Sequence, residues 1–198
     1  MAIELSPERE LQWVKEGRVF QTAHGALTTP AAFEVDLVVT TPDFLITVPA
    51  GTVIVPIRLT IETEATGAAV FQALLRTADN DVAVTNSTEV YPVNVNTRFA
   101  TVRSKCRAAI TSTGAHTTPT NSADLLRVYV QPDIDAITGS ATFTQVVYAP
   151  LQGKGIPCVV GGSGATHSFF ALIGNGTSST GYVECAWAEF TYDEFYAA

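Results

Sequence analysis

Charge is scarce in this 198-residue chain. Asp, Glu, Lys and Arg make up 15% of it, against the usual quarter, while hydrophobic residues make up 46%. That balance excludes a disordered chain and a coiled coil. Cations are scarcer still: 11 Lys and Arg face 19 Asp and Glu, for a net charge of −8, and neither end carries a basic tail. Coating phosphates needs clustered positive charge, so neither direct nucleic-acid contact nor genome packaging is expected. No apolar run approaches the roughly 18 residues of a membrane helix, so no membrane partner is expected either. The first ten residues carry acids where a secretory signal would carry a basic stretch, and no signal peptide is expected. The cysteines are three, Cys106, Cys158 and Cys185, with no CxxC pair. A zinc ribbon or redox motif has nothing to rest on. The cysteines read as buried thiols, with one disulfide plus one free thiol as the alternative. Histidine is equally thin. His24, His116 and His167 include no HxH pair followed by Glu, as a cupin-type metal centre would need. They read as loop residues, with a three-His site shared about a symmetry axis as the alternative.

What is abundant is β-branched. Thr and Val, 27 and 22 residues, make up about a quarter of the chain and fit pleated surfaces. The one helix signal is N-terminal. Ser6 can cap, Pro7 suits the first helical position, Glu8 and Glu10 complement the dipole, and Gly17 stops a helix of about Pro7 to Glu16. Three turns are too short to stand alone, so this helix must dock. Alternation predicts strands at Phe33–Val39 and at Ile57–Thr63, where Ile57, Leu59 and Ile61 share a face. Further strands are read at Phe44–Val48, Ala69–Thr77, Val90–Asn96, Thr101–Ile110, Leu125–Val130, Thr142–Tyr148, Ser168–Ile173 and Tyr182–Tyr192. Pro49-Ala50-Gly51 reads as a tight turn, Gly174-Asn175-Gly176 as a hairpin tip, and Pro56 marks an edge or a bulge. Many short strands over roughly 150 residues fit an all-β, two-sheet antiparallel jelly-roll sandwich with a short N-terminal helix better than a seven-stranded immunoglobulin-like domain. The division read from the sequence is an N-terminal helix and arm, 1–29, and a sandwich, 30–198.

Few residues offer chemistry. Ser163 in Gly161-Gly162-Ser163-Gly164-Ala165 half resembles a nucleophile elbow but lacks its final Gly, and reads as a flexible loop. Asp79 and Asp81, with Asp133 and Asp135, form two D-x-D pairs at turns, weak candidates for calcium where Asp also simply favours turns. No catalytic set and no cofactor are implied. Arg98, Arg103, Lys105 and Arg107 hold four of the eleven cations, with no acid between Glu89 and Asp124. The last three alternate, as on one strand face, which is either solvated or an interface to an acidic neighbour. Leu11, Trp13 and Val14 of the helix are the other interface candidates. Trp187 reads as core beside Val183 and Cys185, and Tyr192, Phe195 and Tyr196 as packed on the domain or on another subunit. Sequons at Asn86 and Asn175 read as chance polar loops.

Two stretches carry a resemblance: Phe44-Leu45-Ile46-Thr47-Val48-Pro49-Ala50-Gly51-Thr52 with the strand after it, and Gly181-Tyr182-Val183-Glu184-Cys185-Ala186-Trp187-Ala188-Glu189-Phe190. Together they resemble the jelly-roll structural proteins of viruses and tailed phages, including capsid decoration (cement) and head-fibre proteins. The resemblance implies a homo-oligomer, with a trimer favoured, located in the virion and partnered by other capsid proteins. It brings no catalytic residues. Without the basic arm of a genome-contacting coat protein, the outer capsid surface is the expected place, and residues 1–29 the expected reach to a partner. The alternatives are a self-assembling major capsid protein and a carbohydrate-binding β-sandwich module.

Overall fold

The computed structural model describes residues 7–25, 28–34, 37–38, 41–66, 71–82, 88–110, 117–130, 142–174 and 180–196. In chain order the elements are α1 (Pro7–Lys15), β1 (Val19–His24), β2 (Ala31–Ala32), β3 (Phe44–Val48), β4 (Thr52–Thr66), β5 (Phe71–Ala78), β6 (Thr88–Val90), β7 (Val93–Asn94), β8 (Arg107–Ile110), β9 (Ala123–Val130), β10 (Thr142–Tyr148), β11 (Val160–Gly162), β12 (His167–Gly174), β13 (Thr180–Thr191) and α2 (Tyr192–Tyr196). One sheet runs β10-β4-β13-β1-β7, with β11 also on β4 and β2 on β13. The other runs β6-β8-β3-β12-β5-β9. All pairings are antiparallel. With the short strands β2, β6, β7, β8 and β11 set aside, the remaining eight lie sixth-third-eighth-first in one sheet and second-seventh-fourth-fifth in the other. That is the strand order of a jelly roll.

Three apolar layers hold it. Phe44, Ile46, Leu59, Ile61, Phe169 and Trp187 fill the space between the sheets. Leu45, Leu74, Phe170 and Leu172 form a second layer on the outer face of the β3-β12-β5 sheet, with Val82 and Leu37 against them. β3 and β12 are thus buried on both faces, which is why they read as unbroken apolar runs rather than as alternation. The third layer, on the outer face of the other sheet, joins Trp13, Val19, Val55, Ala188 and Phe190. It is where the helices dock. α1 ends in a Schellman motif: Gly17 at φ +73° donates to Val14 O and Arg18 donates to Trp13 O, both at 3.0 Å.

Several expectations need correction. Residues 7–25 are built into the sandwich rather than standing apart from it: β1 is an interior strand between β13 and β7, and Trp13 is 2% exposed, edge-on to Phe190. Ile57 does not share a face with Leu59 and Ile61. The register shift that sets Trp187 against Pro56 and Ala186 against Arg58 leaves Ile57 as an extra residue. This bulge turns Ile57 outward onto the helix layer and Leu59 inward. Phe33, Glu34, Leu37 and Val38 are irregular rather than strand. Gly174-Asn175-Gly176 is no hairpin tip, because β12 and β13 belong to different sheets; residues 175–179 lie outside the described residues.

Asp43 explains the irregular run before β3. It is 4% exposed, and its carboxylate accepts the N–H groups of Glu34 (3.0 Å) and Ile173 (2.6 Å), tying that run to β12. Burial outweighs these bonds and, with Glu34 nearby, pushes the carboxyl up to about 7. The folded chain therefore holds this proton more tightly than the unfolded chain does. The contribution to stability is full below about pH 4 and is lost as pH rises through about 7. Burial of His24 lowers its imidazole to about 4, and its contribution falls away in the opposite direction, as pH drops. Comparing the native chain with Asp43→Asn isolates the carboxyl. Between pH 4 and 7.5 the native chain should lose on the order of a few kcal/mol relative to the variant, measured by denaturant unfolding. A pH-independent difference would show that Asp43 does not titrate there.

Candidate interaction site

Four of the eleven cations fall between Arg98 and Arg107. This stretch carries the chain from β7, the edge of one sheet, to β8 in the other. It opens with a 3-10 turn, Thr97–Phe99, and Thr101–Cys106 is irregular. The single strand face expected for Arg103, Lys105 and Arg107 is therefore corrected: only Arg107 lies in a strand. Side chains, not a neighbouring strand, take up the backbone here. Cys106 N–H donates to Ser104 Oγ (3.0 Å), while the Ser104 hydroxyl (2.6 Å) and Lys105 N–H (2.8 Å) both donate to the Glu189 carboxylate on β13. Such bonds compete with ladder formation.

The other end is locked to α1. Asn94 Nδ2 donates to Gly17 O (2.6 Å), just beyond the helix, and Asn96 Nδ2 donates to Val14 O (2.9 Å), which also accepts the Gly17 N–H. Asn96 Oδ1 caps the 3-10 turn by accepting Arg98 N–H (3.0 Å). Phe99 lies so close beneath Gly17 that a Cβ there would sit 2.5 Å from its ring.

A cleft opens where β6 and β8 part. Their pairing stops at Val90↔Ala108. Pro92, with no N–H to give, turns the chain away on one side, and the Ser104 turn does so on the other. The fork leaves a cleft of about 550 Å³, with Tyr91 and Pro92 on one wall and Arg103, Lys105 and Arg107 on the other. A second cleft, of about 210 Å³, lies between Arg103 and Lys105 and the Arg18–Phe190–Glu194 corner.

The charges here differ in their freedom. Arg18 is fully engaged, with Glu16 at 2.7 Å, with Glu194, and over the Phe190 ring at 5.2 Å. Arg107 meets Glu89 at 3.4 Å. Arg98, Arg103 and Lys105 are exposed and form no ion pair among the described residues. Beside them Tyr91 is 73% exposed, Val93 63% and Val102 42%. Burial pushes the Cys106 thiol well above its usual range, with Glu189 adding to the effect, so the cleft offers no thiolate nucleophile.

The structure separates the remaining candidates. Trp13 is withdrawn from any interface by its own domain, Val14 is partly buried against the same layer, and Leu11 stays 55% exposed. Asp79 accepts Thr120 Oγ1–H (2.5 Å) and Asn121 Nδ2–H, which hold its carboxyl below the ordinary range. Asp133, Asp135, His116 and the sequon Asn86 lie outside the described residues. Among the described residues no three His, Cys, Asp or Glu come together to hold a metal. Tyr91, Ser104, Glu189 and the Asn94/Asn96 pair are site residues that sequence reasoning missed. Tyr91 had a usable signal, an aromatic followed by Pro at a strand end. Glu189, 84 residues from Lys105, had none.

No protein-family model, curated protein or solved structure matches this chain.

Glu189→Ala removes one acceptor from two backbone-fixing bonds. It should cost about 1–2 kcal/mol, a drop in Tm of a few degrees, and speed amide hydrogen exchange at residues 104–106. Unchanged exchange at those amides would show that the segment is held by something else.

Proposed function

We propose that this chain is a non-enzymatic structural protein of a virion. In this reading it is a decoration protein that docks on the outer surface of a capsid through the cationic segment and reinforces the shell. The observation that carries the reading is how that segment is built. Exposed cations without ion pairs among the described residues sit beside exposed Tyr91, Val93 and Val102, on a backbone pinned at both ends. A solvated loop gains nothing from such pinning. A docking surface does, because the ordering of loops is a cost of association that a rigid segment has already met. Arg and Tyr are the side chains that dominate binding hot spots. On a chain of net charge −8, a concentrated basic face favours an acidic neighbour and disfavours wrong orientations. The fold agrees with this role without selecting it, since one architecture serves many functions. The resemblance to jelly-roll capsid-attached proteins adds the virion and a trimeric assembly to the reading. Binding the assembled shell but not its free subunits would stabilise the shell by mass action.

Cosedimentation with assembled capsid shells tests this. The native chain should bind and raise the melting temperature of the shell. Arg103→Glu combined with Lys105→Glu should abolish both effects while leaving the Tm of the free chain within about 2 °C. Attachment that survives the double reversal rejects the docking face. Light scattering on the free chain tests the assembly, with a discrete trimer expected. A megadalton particle is the behaviour of a self-assembling major capsid protein, and glycan binding without shell binding that of a carbohydrate-binding module.

A further inference from the structure

We infer that the cleft between Tyr91–Pro92 and Arg103–Arg107 takes an extended acidic segment of a protein, with its carboxylates on Arg103 and Lys105. This rests on the docking reading above and names the chemistry of the partner. Glu89 already occupies Arg107, so the free cations in the cleft are Arg103 and Lys105. Both residues also line the smaller cleft toward Glu194. They form a ridge with a hollow on each side, a shape that suits a ligand lying across it rather than one compact anion seated in a single hole.

Two features select a polypeptide. Pro92 in the larger hollow and Val102 in the smaller offer aliphatic surface that finds partners on protein side chains and few on a sulfated glycan. Glu89, Glu189 and Glu194 fringe the two hollows and, with a net charge of −8, repel a long polyanion such as nucleic acid. A short acidic segment, with a few carboxylates rather than a long run of phosphates, meets far less of that repulsion.

Backbone amide shifts of the labelled full chain, titrated with hexaglutamate, hexaglutamine and a heparin-derived hexasaccharide, test the inference. Hexaglutamate should give saturable shifts confined to residues 88–108, and hexaglutamine none. Arg103→Gln with Lys105→Gln should weaken the hexaglutamate interaction at least about tenfold, as should raising salt to about 0.5 M. Both side chains are exposed, so the spectrum elsewhere should be unchanged; should the double variant misfold, Lys105→Gln alone should give a smaller weakening in the same direction. Absence of saturable shifts, equal binding by the neutralised chain, or tighter binding of the hexasaccharide than of hexaglutamate would each overturn the acidic-peptide assignment. The two readings fail separately. Loss of hexaglutamate binding with charge-sensitive shell attachment retained rejects only the partner chemistry. Hexaglutamate binding without any shell attachment rejects the virion role and leaves the cleft assignment standing.

Discussion

The ladder between β4 and β13 is the constraint on which the rest of the molecule depends. It runs from Gly181↔Thr63 to Thr191↔Thr52 and ties together everything else in its sheet, with β10 and β11 hanging on β4 and β1 and β2 on β13. The fit is tight enough to dictate residues. A Cβ on Gly181 would stand 2.0 Å from Glu62 O, so only glycine passes there. The bulge at Pro56–Arg58 falls in the stretch of β4 that neither β10 nor β11 covers, which is where a residue lacking an N–H costs least. It also lets one strand serve two layers: Val55 and Ile57 face the helices, while Leu59 and Ile61 face the central core.

The interaction site inherits its order from that ladder. Glu189, held against Ile54 in the β4–β13 register, is the carboxylate that fixes Ser104 and Lys105. Phe190, the next residue, faces the opposite side and anchors Trp13, Arg18 and Phe195. One dipeptide of β13 thus sets both the cationic segment and the helix corner. The segment's other anchor, Asn94 on Gly17 O just past α1 and Asn96 on Val14 O within it, closes the circuit. The exposed cations stand on a frame whose every support leads back into the sandwich.

Elements with a strong local signature were legible from the residues alone. α1 carries Pro7 at its start and Gly17 at its end, and β3 and β13 match an apolar run and a long alternation. The jelly-roll class followed from the number and spacing of such runs. β1 escaped notice because Val19–His24 mixes Gln, Thr and His with three apolar residues, and becomes a strand through the partners on either side of it. Phe33–Val39 failed in the opposite sense. Its alternation is real, but Asp43 claims the Glu34 N–H that a ladder would need. At the site, the cluster of cations was visible in the sequence and its geometry was not. The fork depends on Pro92 and Ser104 acting from two separate segments, and on a carboxylate brought in from β13.

The position of β13 also has a temporal side. It lies in the interior of its sheet, between β4 and β1, and both of these precede it by more than a hundred residues. The sheet cannot close from one end to the other; it closes when its middle arrives. Such non-local closure makes folding slow and keeps sticky edges open meanwhile.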